Sequence, residues 1–246
     1  MLKAILISIS FAVCGYTLHP YPPHNVVTKS HNQYSLYNTD FTINGNDPQL
    51  VRQVATKVLP MKRAIIKKWL DGPIPVGMRH ITINVFIRSY NRAYCTMTDH
   101  PNIYIYSKGD HLYETLKHEL THALLSIRYP DLPRWTHEGV ASSWDGPGHQ
   151  KMYLKILAWS RKSGTYPKLE EIMKGVRFNG RNATAYTASN SLVKFLLSRS
   201  DRYTLFLYAS NKTTLERAYG FRSIYKLQEA WIKWLNAPAE AIKPSE

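Results

Sequence analysis

The sequence predicts an α+β protein, with a small N-terminal sheet followed by a mostly helical C-terminal part. Apolar residues alternate with polar ones at 34–44 and 81–88, and a further short stretch at 102–106 is rich in Ile and Tyr, as half-buried strands require. From residue 112 onward, apolar residues return instead every three or four positions, the period of helices with one buried side.

Residues 1–15 read as a secretory signal peptide. Met1-Leu2-Lys3 is a short basic start, residues 4–13 are an almost unbroken apolar run, and Cys14-Gly15 offers the small residues of a cleavage site. The run is too short for a membrane span, and no later segment approaches the ~20 apolar residues that a span needs. Acylation at Cys14 is disfavoured by Phe11 and Val13. The expectation is an extracytoplasmic protein, periplasmic or secreted, held at most by its N-terminus. Residues 16–33 form an extended lead-in, where Pro20, Pro22 and Pro23 deny His19, His24 and His31 a regular scaffold.

One domain should then cover residues 34–238, with a short tail at 239–246. The stretch 34–44 reads as a strand. Residues 49–70 read as a helix with Val51, Val54, Val58, Met61 and Ile65 on one side, kinked or broken at Leu59 by Pro60. Residues 81–88 and 102–106 are the next two strands. Leu112, Leu116, Leu120, Ala123, Leu124 and Ile127 mark a helix, with Asp110 as its N-cap and Tyr129-Pro130 as its stop. Past Trp135 the pattern is helical, with breaks at 146–148, Gly164 and Gly180. A short helix at 168–173 follows Pro167 and is placed to cover a cleft.

Composition excludes several classes. A hydrophobic content of 44% is that of a globular chain. The excess of 32 Lys+Arg over 17 Asp+Glu gives a net charge of +15, which favours anionic partners such as lipid or wall polymers. The cations are scattered without a long block, which reads as a generally solvated surface, and with an export signal nucleic acid is not expected. With Cys14 removed, Cys95 is alone and closes no internal disulfide; it reads as structural.

The chemistry is concentrated in Lys117-His118-Glu119-Leu120-Thr121-His122, followed by Arg134-Trp135-Thr136-His137-Glu138-Gly139-Val140-Ala141. Histidines four apart share one helix face and can reach one metal ion. Glu119 sits where a carboxylate can act on a metal-bound water. Glu138, returning on a second helix, would be the third ligand of an open Zn²⁺ site.

These motifs resemble those of the gluzincin metallopeptidases, specifically the peptidase MA-like group, whose HExxH helix is followed by a similar "LPxW…EGxA" segment. The likeness continues through 185–196 and through Ala218-Tyr219-Gly220 to Leu227-Gln228-Glu229-Ala230-Trp231, covering roughly residues 103–235. It implies a zincin-like fold in which 102–106 is an edge strand that pairs with an extended peptide or protein substrate. It also implies Glu119 as the catalytic base and Tyr186 as donor to the oxyanion. Where the thermolysin pattern has an Asp one helical turn past the ligand Glu, this chain has Ser142. The zinc histidines must therefore be oriented by Ser142, by Asp145 or by the backbone. The gap between the second His and Glu138 is also a few residues shorter than the thermolysin one.

Two other readings use the same residues. His137 as third ligand would resemble the DNA-associated SprT-like metallopeptidases. A non-catalytic secreted binding module would keep zinc for structure alone. The export signal and the Glu-Gly-Val-Ala pattern oppose the first; an intact Glu119 opposes the second.

Overall fold

A computed structural model describes residues 27–30, 33–38, 40–70, 72, 80–96, 100–109, 111–175, 178 and 183–237. The expected signal peptide, residues 16–26, 31 and 32 of the lead-in with its three histidines, Asp110, Gly180 and the tail lie outside them. The chain is α+β, with strands first and helices dominating after residue 112.

The sheet opens with β1 (Val27–Ser30), β2 (Gln33–Tyr37) and β3 (Phe41–Gly45), each antiparallel to the next. The single strand expected at 34–44 is thus two. Asn38 Oδ1 accepts from the backbone N–H groups of Asp40 (2.9 Å) and Phe41 (2.7 Å), folding the chain back on itself. Helix α1 (Pro48–Trp69) then crosses over, and β4 (Ile81–Ile87) runs parallel to β3. Asp47 caps α1 by accepting from Leu50 N at 2.7 Å, with Pro48 preset in the first turn. The break expected at Leu59 does not occur. Pro60 and Thr56, whose carbonyl loses its usual partner, both lie on the exposed side, so water can replace the missing bond.

β5 (Arg92–Thr96) and β6 (Asn102–Ser107) complete a six-stranded sheet of order β1-β2-β3-β4-β6-β5. Here the expectation fails. The 102–106 segment is interior, parallel to β4 and antiparallel to β5, and β5 is the edge strand. β5 escapes a hydropathy reading because its inward residues, Ala93 and Cys95, are small.

One face of the sheet carries Phe41, Ile43, Ile81, Ile83, Val85, Ile103 and Ile105, all at most 1% exposed. It packs on Val51, Val54, Val58 and Ile65 of α1 and on Leu116, Leu120 and Leu124 of α2 (Leu112–Arg128). Helix α2 starts after His111, whose φ of 56° is left-handed and which makes no side-chain cap bond. The helical half continues with α3 (Arg134–Ala141), a 3-10 turn (Ser142–Trp144) and α4 (Pro147–Ser163). There follow α5 (Leu169–Met173), α6 (Ala183–Leu197), α7 (Arg202–Ala209), α8 (Leu215–Tyr219) and α9 (Ile224–Asn236).

Helix α3 lies almost backbone to backbone on α6 at Gly139. A Cβ there would fall 2.6 Å from the Ser189 carbonyl oxygen and 2.6 Å from Val193 Cγ2. Gly139→Ala should therefore cost about 2–3 kcal/mol, as overpacking of a close contact does. Gly148→Ala, where a Cβ meets nothing within 4 Å, should be nearly neutral. Urea denaturation of the two variants checks this; equal midpoints would show that α3 can move away from α6 at little cost.

Candidate metal centre

His118 and His122 stand one helical turn apart on the side of α2 turned from the sheet core, and α3 brings Glu138 against them. The Nε2 atoms of the two histidines are 3.1 Å apart, and Glu138 Oε2 lies 3.7 Å from the first and 3.4 Å from the second. Ligands ~2.0–2.2 Å from a tetrahedral ion are separated by about 3.3–3.6 Å. The three atoms are near that spacing and could hold one metal ion between them. Among the described residues this is the one group of His, Cys, Asp or Glu with three donor atoms so close, within 4.8 Å of one another.

Neighbouring groups hold His118 and Glu138 in place. His118 Nδ1 donates to Asp145 Oδ1 at 2.7 Å, which directs Nε2 at the cluster. Tyr153 donates its hydroxyl to Asp145 Oδ2, and Gln150 Nε2 donates to the Ser142 carbonyl at 2.9 Å. Of the three orienting groups left open by the sequence, Asp145 is the one that bonds His118. Lys117 Nζ, 3.6 Å from the centre of the Trp144 ring, ties α2 to the turn carrying that Asp. Arg134 Nε donates to Glu138 Oε1 at 3.3 Å, occupying that oxygen and leaving Oε2 for a cation. Sequence reasoning gave Arg134 no role, although its i, i+4 spacing to Glu138 was the available signal. His122 Nδ1 is buried and has no hydrogen-bond partner among the described residues.

The electrostatics favour positive charge at this point. Burial pulls His118 down, but the bonds from Asp145 and Glu138 outweigh it and raise the imidazole to about 10. Burial pushes Glu138 up, yet His122 and His118 more than reverse this, and it stays ionised well below the usual carboxylate range. Without a metal, His118 therefore holds a proton where a cation would sit.

Glu119 is 8% exposed, and burial raises its pKa against the opposing pull of His122 and His118. His137, the alternative ligand, is not in the donor group. Its ring stacks 5.7 Å from that of His122, and burial with the His122 charge pushes it down to about 3, leaving it neutral. Tyr186 and His118 line one cavity of about 360 Å³, which also takes in Glu114, Asp145, His149 and Tyr153. Burial raises the Tyr186 phenol, and the Glu138 charge raises it further. Helix α5, expected over the cleft, supplies no residue to this cavity, because Leu169 and Ile172 are buried in the core instead. Cys95 is a free thiol on β5, outside the donor group. Burial and the Glu119 charge keep it protonated.

No protein-family model, no curated protein and no solved structure matches this chain. Among the described residues no helix is long and apolar enough to cross a membrane.

Zinc titration monitored by competition with a chromophoric chelator tests the geometry. Glu138→Ala should abolish tight binding, and Asp145→Asn should weaken it about 10–100-fold, as loss of an orienting group does. His137→Ala should leave one zinc bound; retention in Glu138→Ala with loss in His137→Ala would select the three-histidine set. Because zinc must displace the proton on His118, affinity should rise with pH below about 10, with proton release on binding.

Proposed function

We propose that the protein is a zinc-dependent peptidase of zincin-like fold, resembling the gluzincins, that hydrolyses peptide bonds with Glu119 as general base. The observation that supports this best is the tetrahedral spacing of His118 Nε2, His122 Nε2 and Glu138 Oε2, with Glu119 beside them on α2. Zinc bound there supplies Lewis-acid chemistry, polarising a carbonyl and acidifying a water.

The rest falls to the chain's own groups. Glu119, withdrawn from water and with a raised pKa, takes a proton from the attacking water and passes it to the leaving amine. Tyr186, on the wall of the cavity that His118 also lines, offers its hydroxyl to the developing oxyanion. Asp145 keeps the His118 ring in one tautomer and one orientation throughout. The edge strand β5, antiparallel to β6 and packed beside α2, has a backbone edge that no described strand pairs, suited to an extended peptide or protein substrate. The apolar run at residues 4–13 supports an extracytoplasmic location for this activity.

Two substitutions test the reading. Glu119→Gln keeps the size and the metal but removes the base. A peptide library digested by the zinc-loaded protein should lose cleavage almost entirely with this variant, while zinc content and melting temperature hold. Equal cleavage by both forms would sink the mechanism, and a chelator-sensitive fold without cleavage in either would favour a structural zinc. Tyr186→Phe should lower turnover by ~100-fold with substrate binding nearly unchanged, the size of effect seen for single oxyanion donors. An unchanged rate constant would return Tyr186 to a packing role.

A further inference from the structure

We infer that Arg134 is a positioning residue of the proposed peptidase, holding both the Glu138 carboxylate and, across Phe178, the Tyr186 ring. What Tyr186 does there rests on the peptidase reading; what Arg134 holds rests on the distances alone.

Helix stability does not account for an arginine at this position. Arg134 is the first residue of α3, where the helix dipole favours an acidic group, and the first turn contains none. Its i, i+4 pairing with Glu138 also runs in the less favourable order, with the cation N-terminal to the acid. Glu138, however, is only 7% exposed, and a carboxylate so far withdrawn from water needs compensation. Arg134 Nε supplies it by donating to Oε1 at 3.3 Å.

The same guanidinium has a second neighbour. Its Cζ lies 5.3 Å from the centre of the Phe178 ring, within cation–π range. Phe178 is 6% exposed in the connection between α5 and α6. It meets Tyr186 edge to face, with ring centres 5.6 Å apart and planes at 89°. Burial and the Glu138 charge raise the Tyr186 phenol, and the Arg134 charge opposes them, so guanidinium and phenol are near one another as well.

The helices that carry these groups are held at a fixed spacing. Arg134 and Tyr186 stand about one turn before Gly139 and Ser189, where α3 and α6 touch backbone to backbone. A side chain that spans the gap at that point therefore sets the direction of the groups on both sides. Arg134 does not line the cavity that His118 and Tyr186 share. It acts through the residues it touches and not by contact with substrate. The two contacts also make different demands. Any cation of suitable length can compensate Glu138, whereas packing on Phe178 while donating from Nε suits a planar guanidinium.

Arg134→Met and Arg134→Lys separate the two contacts in the full chain. In the chelator competition, Arg134→Met should weaken zinc binding about 10–100-fold, as loss of a group bonded to a ligand does, while Arg134→Lys keeps most of the affinity. Protein labelled with 3-fluorotyrosine reports on the ring, the Tyr186 resonance being the one absent from Tyr186→Phe. That resonance should move in Arg134→Met, Arg134→Lys and Phe178→Leu, and stay in place in Arg222→Lys, a change on the exposed α8–α9 connection. In peptide cleavage, Arg134→Lys should lower kcat about tenfold with KM unchanged, and should lower it no further when added to Tyr186→Phe. Failure of every form to cleave peptides, with the zinc and fluorine results as expected, would remove the peptidase reading and leave Arg134 as the residue that positions Glu138 and Tyr186. An unmoved Tyr186 resonance in Arg134→Met, or zinc affinity there equal to wild type, would overturn the inference. Equal loss of zinc affinity in Arg134→Lys and Arg134→Met would also overturn it, by showing that the substitutions loosen α3 as a whole.

Discussion

Three carboxylates, Glu119, Glu138 and Asp145, are withdrawn from water around two imidazoles, and buried charge is tolerated only when it is compensated. Much of the helical half can be understood from that constraint. Asp145 is satisfied by His118 and Tyr153, and Glu138 by Arg134 on one oxygen and the two histidines on the other. Among the described residues Glu119 has no such hydrogen-bond partner, and burial raises its pKa. A cation held between His118, His122 and Glu138 would complete the balance.

Holding those groups together requires α3 to sit very near both α2 and α6. Gly139 permits the approach to α6, and its carbonyl accepts from Asn190 Nδ2 at 3.4 Å, so the residue after the ligand is fixed on two sides. A Glu-Gly pair at this point thus has a steric cause. The Glu supplies the donor, and the Gly allows the helix that bears it to lie against its neighbour.

The parts of this arrangement that sequence made legible are those set by local periodicity. His118 and His122 follow from a four-residue helical repeat, and Glu138 from a short turn between two helices. The parts that were not legible depend on chain packing. Whether Asp145 or Ser142 orients His118 is decided by the path of the 3-10 turn after α3, which no spacing encodes. The order of β5 and β6 depends on which strand the chain lays down beside β4, and Ala93 and Cys95 are too small to advertise a buried face. The turn at Asn38 was readable in principle, since Asn and Asp two apart favour a side-chain-closed turn, but the surrounding alternation masked it.

The displacement of the edge role from β6 to β5 has a chemical effect. β5 places Cys95 close enough to Glu119 for the carboxylate's charge to help keep the thiol neutral. A neutral thiol is a small apolar group, and Glu119 itself is only 8% exposed. Poor hydration raises its pKa, and a carboxylate with a raised pKa is the stronger base. In the proposed peptidase, then, burial keeps the general base dry, and the strand that bears Cys95 is the one whose edge would receive substrate. Cys95, which reads as structural in the sequence, stays a protonated thiol outside the donor group.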